Sequence, residues 1–344
     1  MTEVLNSYLT SNLIVLSLLL GALGLWRAVA KNRLWSEALR SVYRRRPIAV
    51  WVCALYLAVG LSDSVAWVGG AQVGTDAVAS HQAKTVLDRI FGDTKEKSYS
   101  APFADAEFYA KSKLRHPGSH VLGTDILGRD VLFVTLKGVR IALLIGGLTS
   151  LISIPLALLM GVLAGFFGKY IDDGVFFVVS VLQSMPSILL LIALITALPK
   201  STLSVCIALA VTSWVGFCRL ARGETMKLRE LDYVYAARAL GVSEMRIIWR
   251  HILPNLTHLI VITFALTFSG LVLSEAVLAW LNIGVEGSWG QMIAQAKNEL
   301  SRDPVVWWNL AAAATALFVL LLAINLIGDA IRDVLDPRTA RERQ

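Results

Sequence analysis

The sequence has little charge for its length. Of its 344 residues, 17% are charged and 56% are hydrophobic. Soluble proteins carry about 25% charged residues. The apolar residues are gathered in long runs rather than spaced at the short periods of soluble helices and strands. This distribution argues against an ordinary soluble domain and indicates a chain that crosses a membrane several times.

The sequence also lacks the motifs of nucleotide binding and of common catalysis. The string nearest to a phosphate-binding loop is LAGFFGKY, which lacks the first glycine and the final serine or threonine. There is no HExxH and no GxSxG. The three cysteines, Cys53, Cys206 and Cys218, lie in apolar runs without the spacing of a metal site or a disulfide framework. We therefore expect no catalytic residue, no metal and no cofactor in this chain.

Long apolar runs are what the sequence has in abundance. A membrane helix needs about 20 residues to cross a hydrocarbon core of about 30 Å. Runs of this kind cover about residues 11–29, 47–69, 139–167, 174–198, 202–220, 258–282 and 306–329. The third run must tilt or start outside the hydrocarbon, because its helix would be about 43 Å long. The pattern predicts an all-α, polytopic membrane protein with seven spans.

Lysine and arginine in the connecting segments predict the orientation, because cytoplasmic segments carry an excess of these residues. Three segments are strongly basic, namely 27–46, 219–257 and the tail after 330, and seven spans place all three on one side. The N-terminus is then outside and the C-terminus in the cytoplasm. The long segment 70–138 lies outside and is close to neutral. The net charge of +7 is therefore mostly a topology signal, and no nucleic-acid site is expected.

The cytoplasmic loop 219–257 carries helical signals of its own. Leu231–Leu240 contains good helix formers and ends at Gly241, which suits a left-handed C-cap. Ser243 can cap a second helix, and Pro254 is expected to stop it. The second helix has one apolar face, formed by Met245, Ile248, Trp249 and Ile252. On spacing alone, the loop is either a contact for another protein or an amphipathic hairpin that lies on the membrane.

The same loop resembles the EAA loop of bacterial ABC importer permeases. Its small pair, Ala236 and Ala237, would let another backbone come close, and the register of this pair with Gly241 and the Leu-Pro pair is kept. The leading Glu of the family is Tyr235 here. In that family the loop forms a coupling helix that docks on the ATPase. The resemblance therefore implies ATPase coupling, within 231–254, for Tyr235, Ala236, Ala237, Arg238, Gly241, Leu253 and Pro254.

The outer segment 116–133, HPGSHVLGTDILGRDVLF, resembles the signature of the second permease of dipeptide, oligopeptide and nickel importers. The matching positions include Gly123, Thr124, Asp125, Gly128, Arg129 and Asp130. Either Asp125 or Thr124 can cap a helix that starts near Ile126, and an acidic residue suits that helix end. We expect an anchoring helix at the membrane interface, with direct substrate contact as the alternative.

Ionisable residues are scarce within the spans, which counts against an ion-coupled carrier. Glu275 is the main one, and it either lines the pathway or holds helices together. Gly161 and Gly165 form a small-xxx-small pair that can pack against a neighbouring helix. Pro155 and Pro186 lie inside spans and are expected to kink them.

The resemblance covers roughly residues 45–340 and implies the organisation of the chain. Residues 1–46 hold an extra N-terminal membrane helix and a basic loop, and 47–138 hold the first core helix and a large periplasmic loop. Residues 139–335 complete a six-helix core of the type I ABC importer permease, and 336–344 form a cytoplasmic tail.

The family also implies a function and partners. The chain would be a permease subunit in a bacterial inner membrane that carries peptides, with nickel or another small solute as the alternative. Its partners would be a sister permease, two ATPase subunits or domains that hold ATP and magnesium, and a periplasmic solute-binding protein.

Overall fold

The described part of the chain is almost entirely helical. The computed structural model describes residues 40–67, 84–91 and 94–335. The first helices are α1 Pro47–Ser64, α2 Val86–Phe91, α3 Val131–Leu143, α4 Thr149–Phe167, α5 Lys169–Gln183 and α6 Ser187–Ala197. The later ones are α7 Thr202–Arg229, α8 Asp232–Ala239, α9 Glu244–Ile247, α10 Thr257–Trp280, α11 Trp289–Leu300 and α12 Trp308–Leu335. Two strands of two residues each, β1 Ala66–Trp67 and β2 Lys84–Thr85, pair antiparallel.

Six of the seven expected spans fall on described residues. Five helical stretches there are long and apolar enough to cross a membrane, or six if the bent pair α5 and α6 forms one span. The five stretches are Pro47–Ser64, Val131–Phe167, Thr202–Arg229, Glu244–Trp280 and Trp308–Val334. The expected first span, 11–29, lies outside the described residues. The all-α, polytopic prediction is confirmed.

The third expected span begins eight residues earlier than its apolar run. Helix α3 starts at Val131, and the two basic residues in its course have acidic partners. Lys137 Nζ lies 2.6 Å from a carboxylate oxygen of Asp88, and Arg140 Nη1 lies 3.9 Å from one of Asp63. In a hydropathy pattern these two cations interrupt the apolar run, whereas in the folded chain each lies next to a carboxylate. A π-helical segment, Leu144–Leu148, joins α3 to α4.

The fourth expected span is a broken helix. Helices α5 and α6 are bent by 89° at the break between Gln183 and Ser187. Pro186 stands at the break with an extended ψ of 124°. Proline has no N–H to continue the helical ladder, and it disfavours a helical conformation in the residue before it. The expected kink at this proline is therefore a sharp corner.

The described residues form two compact units. The first contains Pro47–Leu143 and Glu286–Ala323, and the second contains Leu144–Val285 with the residues from Ile324 on. In the second unit α4 packs closely along α7. An ideal Cβ on Gly161 would lie 2.5 Å from the carbonyl oxygen of Cys218, and one on Gly165 would lie 2.6 Å from that of Arg222. The glycines therefore allow the two backbones to touch.

We predict that Gly161→Val destabilises the second unit, because the new side chain meets backbone that cannot rotate away. Overpacking of this kind costs about 2 kcal/mol. The measurement is the thermal midpoint of the purified protein in detergent. Gly216→Val on α7 is the matched control, since its Cβ would have no neighbour within 4 Å. Equal midpoints for the two variants would contradict the close packing of α4 on α7.

The first unit buries an acidic residue outside the spans. Glu299 in α11 is 2% exposed. Its Oε1 accepts hydrogen bonds from Asn309 Nδ2 at 2.8 Å and from the Tyr99 hydroxyl at 3.2 Å. Its Oε2 and Asn309 Oδ1 are buried without a hydrogen-bond donor. Burial raises the pKa of Glu299, and the nearby Asp125 raises it further, against the hydrogen bonds of Asn309 and Tyr99. A proton on Oε2 would supply the missing donor.

We predict a pH-dependent contribution of Glu299 to stability. Because its pKa is raised above the ordinary 4.5, the contribution is full below that value and is lost as pH rises through the raised pKa. Glu299→Gln is neutral at every pH and carries its own donor. Its thermal midpoint relative to wild type should therefore improve as the pH is raised above 4.5. A difference that stays constant with pH would contradict a titrating Glu299.

Candidate functional site

The loop 219–257 turns a sharp corner after α8. Gly241 has a φ of 76°, in the left-handed region that glycine adopts without strain. Its N–H donates to Arg238 O at 2.9 Å, and the N–H of Val242 donates to Ala237 O at 3.1 Å. These two bonds form a Schellman motif, which satisfies the last carbonyls of α8 and reverses the chain.

The second half of the loop does not stop at Pro254. Helix α9 passes through a π-helical segment, Ile248–Ile252, and a 3-10 turn, Leu253–Leu256, directly into α10. Pro254 lies in the first turn of the 3-10 segment, where its missing N–H breaks no bond. The loop is therefore continuous with the membrane helix, and a displacement of the loop passes into α10.

The expected apolar face of the second helix is only half right. Ile248 and Ile252 are buried, but Met245 and Trp249 are exposed, and Ile247 takes a buried place instead. The π-helical segment changes the number of residues per turn, so that a 3.6-residue period no longer describes the buried positions. The sequence carried no signal for that change of register.

The buried side of the loop packs on the end of α4. We call this set the loop cluster, and its buried members are Val162, Phe166, Val234, Ala237, Ile247, Ile248, Ile252 and Leu256. It joins side chains from α4, α8 and the helical segments that lead into α10. Of the alanine pair, Ala237 belongs to this cluster and Ala236 is exposed. Ala237 therefore lets the loop approach its own chain rather than a partner.

Two arginines strengthen the attachment of the loop. Arg229 Nη1 donates to the carbonyl oxygens of Gly165 at 3.1 Å and of Phe166 at 3.3 Å, at the C-terminus of α4 where a cation is favourable. The guanidinium of Arg238 lies 5.1 Å from the ring centre of Phe166. It also lies 3.3 Å from a carboxylate oxygen of Glu244 across the corner. The corner is thus fixed from both sides.

Tyr235 occupies the position of the family's glutamate and forms a hydrogen bond with an acidic residue of this chain. Its hydroxyl donates to the carboxylate of Glu230, and Arg229 Nε donates to the same carboxylate at 3.0 Å. The Tyr235 hydrogen bond and then that of Arg229 hold the pKa of Glu230 below its usual range. A carboxylate therefore still stands next to α8, but it comes from the preceding turn.

The outer side of the corner exposes large apolar side chains next to the charged Glu244 and Arg246. Leu240 is 83% exposed and Trp249 is 72% exposed, although both side chains are large and hydrophobic. Tyr235 and Met245 are also exposed. Exposed apolar groups gathered on a rigid corner are typical of a protein contact. Sequence analysis did not identify Leu240 as a candidate site residue, because it follows α8 and belongs to no periodic apolar pattern.

The signature segment 123–130 forms a tight loop against residues 96–100. Gly123 and Gly128 have φ near 71° and 72°, and a Cβ on either would fall within 2.4 Å of a backbone carbonyl oxygen. Thr124 Oγ1 accepts from the N–H of Ser100 at 2.7 Å and donates to Ser98 O at 2.8 Å. These residues hold the segments 96–100 and 123–130 together.

No helix begins near Ile126. Asp125 instead closes the loop, since its Oδ1 accepts from the N–H groups of Leu127 and Arg129, and its Oδ2 accepts from Arg129 Nε at 2.8 Å. Asp130 is the residue at the helix start, because its Oδ1 accepts from the N–H of Phe133 in α3 at 3.2 Å. The expected helix cap lies five residues too early. The sequence alone does not distinguish an aspartate that caps a helix, as Asp130 does, from one that closes a turn, as Asp125 does.

A buried histidine lies behind the signature. His120 Nδ1 is 2.8 Å from Asp130 Oδ2, and Nε2 is 3.7 Å from Glu96 Oε1. Within the described ranges, no group of three His, Cys, Asp or Glu side chains is placed to hold a metal ion. His120 thus connects the signature to Glu96 rather than to a solvent-facing site.

Glu275 lies buried in α10. Its Oε1 accepts a hydrogen bond from the backbone N–H of Val285 at 3.3 Å, ten residues later. The contact fastens the turn that follows α10 to the helix itself. This geometry favours a packing role over a pathway role for Glu275.

A family comparison decides what kind of protein carries this loop. The model of the "Binding-protein-dependent transport system inner membrane component" family matches residues 157–341. The chain belongs to this family. The matched stretch contains the loop cluster and the exposed corner, so that the site described above is part of the family's common core.

Curated relatives agree with the family. The oligopeptide transport system permease protein OppC of Bacillus subtilis is 33% identical over 222 residues, which are 64% of this chain and 72% of that protein. The OppC protein of Mycobacterium tuberculosis is 34% identical and matches 71% of this chain and 84% of its own length. The glutathione transport system permease protein GsiD of Pectobacterium atrosepticum is 33% identical, over 70% of this chain and 80% of that protein.

A solved structure shares the fold. A chain from an inward-facing crystal form of the MetNI methionine ABC transporter matches with a TM-score of 0.50 at 21% identity. The match covers 60% of this chain and 98% of that chain. The permease core of an ABC importer is therefore the fold of most of this chain.

We predict that Gly241→Val disorders the corner without affecting the spans. A β-branched residue at a φ of 76° is strained by about 2 kcal/mol, although a Cβ there would meet no atom within 4 Å. The measurement is the rate of trypsin cleavage after Arg238 and Arg246 in inside-out vesicles, which should rise. Gly223→Val in α7, whose Cβ is also free of neighbours, should leave the rate unchanged. Equal rates for both variants would contradict a fixed corner.

Proposed function

We propose that this chain is a permease subunit of an ABC importer and that the corner after α8 is its contact with the ATPase. The observation that carries the proposal is the two-sided character of the loop. Its inner side is packed on α4 in the loop cluster, whereas its outer side presents Leu240 and Trp249 to solvent. A structure of this kind can transmit a push on the corner to the membrane helices.

The transmission follows from the contacts. Displacement of α8 moves the loop cluster, which includes Val162 and Phe166 of α4, and the same displacement enters α10 through the continuous helical segments. Close packing makes such an assembly switch between arrangements rather than deform gradually. ATP binding that draws two such loops together would thereby change which side of the membrane the pathway opens to.

Peptides are the proposed substrate class. The relatives at 33–34% identity are named for oligopeptide and glutathione transport, and glutathione is itself a small peptide. In this proposal the chain lines half of the pathway, and a separate solute-binding protein selects the peptide. Nickel import, the alternative from the signature segment, has no support from these relatives.

The proposed assembly contains a sister permease, two ATPase subunits or domains and a periplasmic solute-binding protein. ATP and magnesium are held by the ATPases, which hydrolyse the nucleotide. The corner, with its basic loop, lies in the cytoplasm, and the signature segment lies outside. The N-terminus is proposed to be periplasmic and the C-terminus cytoplasmic, in accord with the positive-inside rule.

We predict that Leu240→Asp and Trp249→Asp each abolish coupling. A charge in an apolar protein contact is left desolvated and unpaired, which costs several kcal/mol. Uptake of a labelled dipeptide into proteoliposomes that hold the complete complex and the binding protein should fall at least about tenfold. Ile90→Asp, which alters an exposed apolar residue outside the corner, should keep normal uptake.

Three outcomes distinguish a misfolded variant, a wrong coupling role for the corner and a wrong transporter class. Loss of uptake with loss of membrane insertion would indicate misfolding and is checked by size-exclusion chromatography of the complex. Wild-type uptake in both corner variants would contradict the coupling role. Uptake by the wild-type complex that persists without ATP, but is lost on adding a protonophore, would refute the ABC importer itself.

A further inference from the structure

The outer segment is close to neutral by composition but not at its surface. Among described residues 94–130, the acidic side chains of Glu96, Glu107, Asp125 and Asp130 are buried, and Asp105 is exposed. The basic side chains of the same stretch are exposed or half-buried, and the exposed ones are Lys95, Lys97, Lys111, Lys113 and Arg115. Within residues 94–130, burial has therefore taken most of the acidic side chains off the surface, whereas most of the basic ones remain on it.

Four of these bases form one patch, which we call the basic patch: Lys95, Lys97, Lys113 and Arg115. Glu96 is buried between Lys95 and Lys97, and Leu114 is buried between Lys113 and Arg115. The Glu96 carboxylate accepts from the backbone N–H of Arg115 at 2.9 Å and from that of His116 at 2.8 Å. One buried acid therefore clamps the two basic segments side by side.

The positive charges of the basic patch are not neutralised by ion pairs within the described part of the chain. None of its four side chains forms an ion pair there, in contrast to Lys137 and Arg129, which pair with Asp88 and Asp125. Four like charges close together repel one another, and the protein keeps them together with a buried carboxylate. An arrangement of this kind favours an anionic partner.

We propose that the basic patch receives an acidic face of the solute-binding protein. This inference rests on the proposed function, which places the patch outside the membrane. A protein is favoured over lipid because residues 94–98 and 112–117 expose no large apolar side chain, whereas membrane-surface contacts combine bases with inserted apolar groups. Charge pairing also suits a partner that must dock and leave in every cycle, since it speeds association more than it slows release.

The test measures association of the binding protein with the complete transporter in nanodiscs. The variant K97Q/K113Q removes one charge from each segment and leaves Glu96 and its backbone partners in place. We expect its association rate constant at low ionic strength to fall about threefold, and that of K95Q/K97Q/K113Q/R115Q about tenfold, with a shallower dependence on salt. The dissociation rate should change little.

The matched control is K200Q/K297Q, which removes the same number of exposed charges at positions remote in sequence from the two basic segments. Its association rate should equal that of wild type. Equal rates for K97Q/K113Q and the control would overturn the inference, as would a loss seen only in nanodiscs that contain phosphatidylglycerol, which would assign the patch to lipid. A wild-type complex that neither binds the solute-binding protein nor imports peptide would instead refute the proposed function.

Discussion

The packing of the loop cluster on the end of α4 is the contact on which the rest depends. A large apolar side chain gains about 1.5–3 kcal/mol on full burial, and this cluster buries Phe166, Ile247 and Ile252 among its members. Without it, the exposed corner would be a flexible loop, and a push at Leu240 would be absorbed there. With it, and with Arg229 on the last carbonyls of α4, the corner and the membrane helices move together.

The membrane helices were predictable from the sequence because the hydrocarbon core of the bilayer constrains their length and composition. Every span must be long and apolar, so each leaves a run that hydropathy detects, and the six runs on described residues each lead to a helix. The ends of the spans were less predictable. Lys137 and Asp88 pair in space, and Pro186 turns a kink into a corner of 89°. Such ends depend on partners that are remote in the sequence.

The details of the candidate site were out of reach for the same reason. The sequence places Ala236 and Ala237 together, but packing on α4 decides that only Ala237 is buried. It offers Asp125 and Asp130 as equal caps, and only the folded loop shows that Asp130 caps α3. The π-helical segment before Pro254 shifts the buried positions without any local signal. The family resemblance pointed to this loop, and the structure shows which of its side chains are buried and which are exposed.

The two proposed contact surfaces differ in chemistry, and the difference suits what each proposed contact has to do. The corner exposes the large apolar side chains of Leu240 and Trp249, which suits the proposed contact with an ATPase, because apolar anchors that become buried give slow dissociation. The basic patch is charged and exposed, which suits its proposed contact with a solute-binding protein that has to arrive quickly and depart. Long-range attraction raises its encounter rate without a tight bound state. Two acidic residues of the same region have a structural role, because Glu96 and Asp125 are buried and accept hydrogen bonds from backbone N–H groups. The basic side chains of the patch stay exposed and can contact a partner.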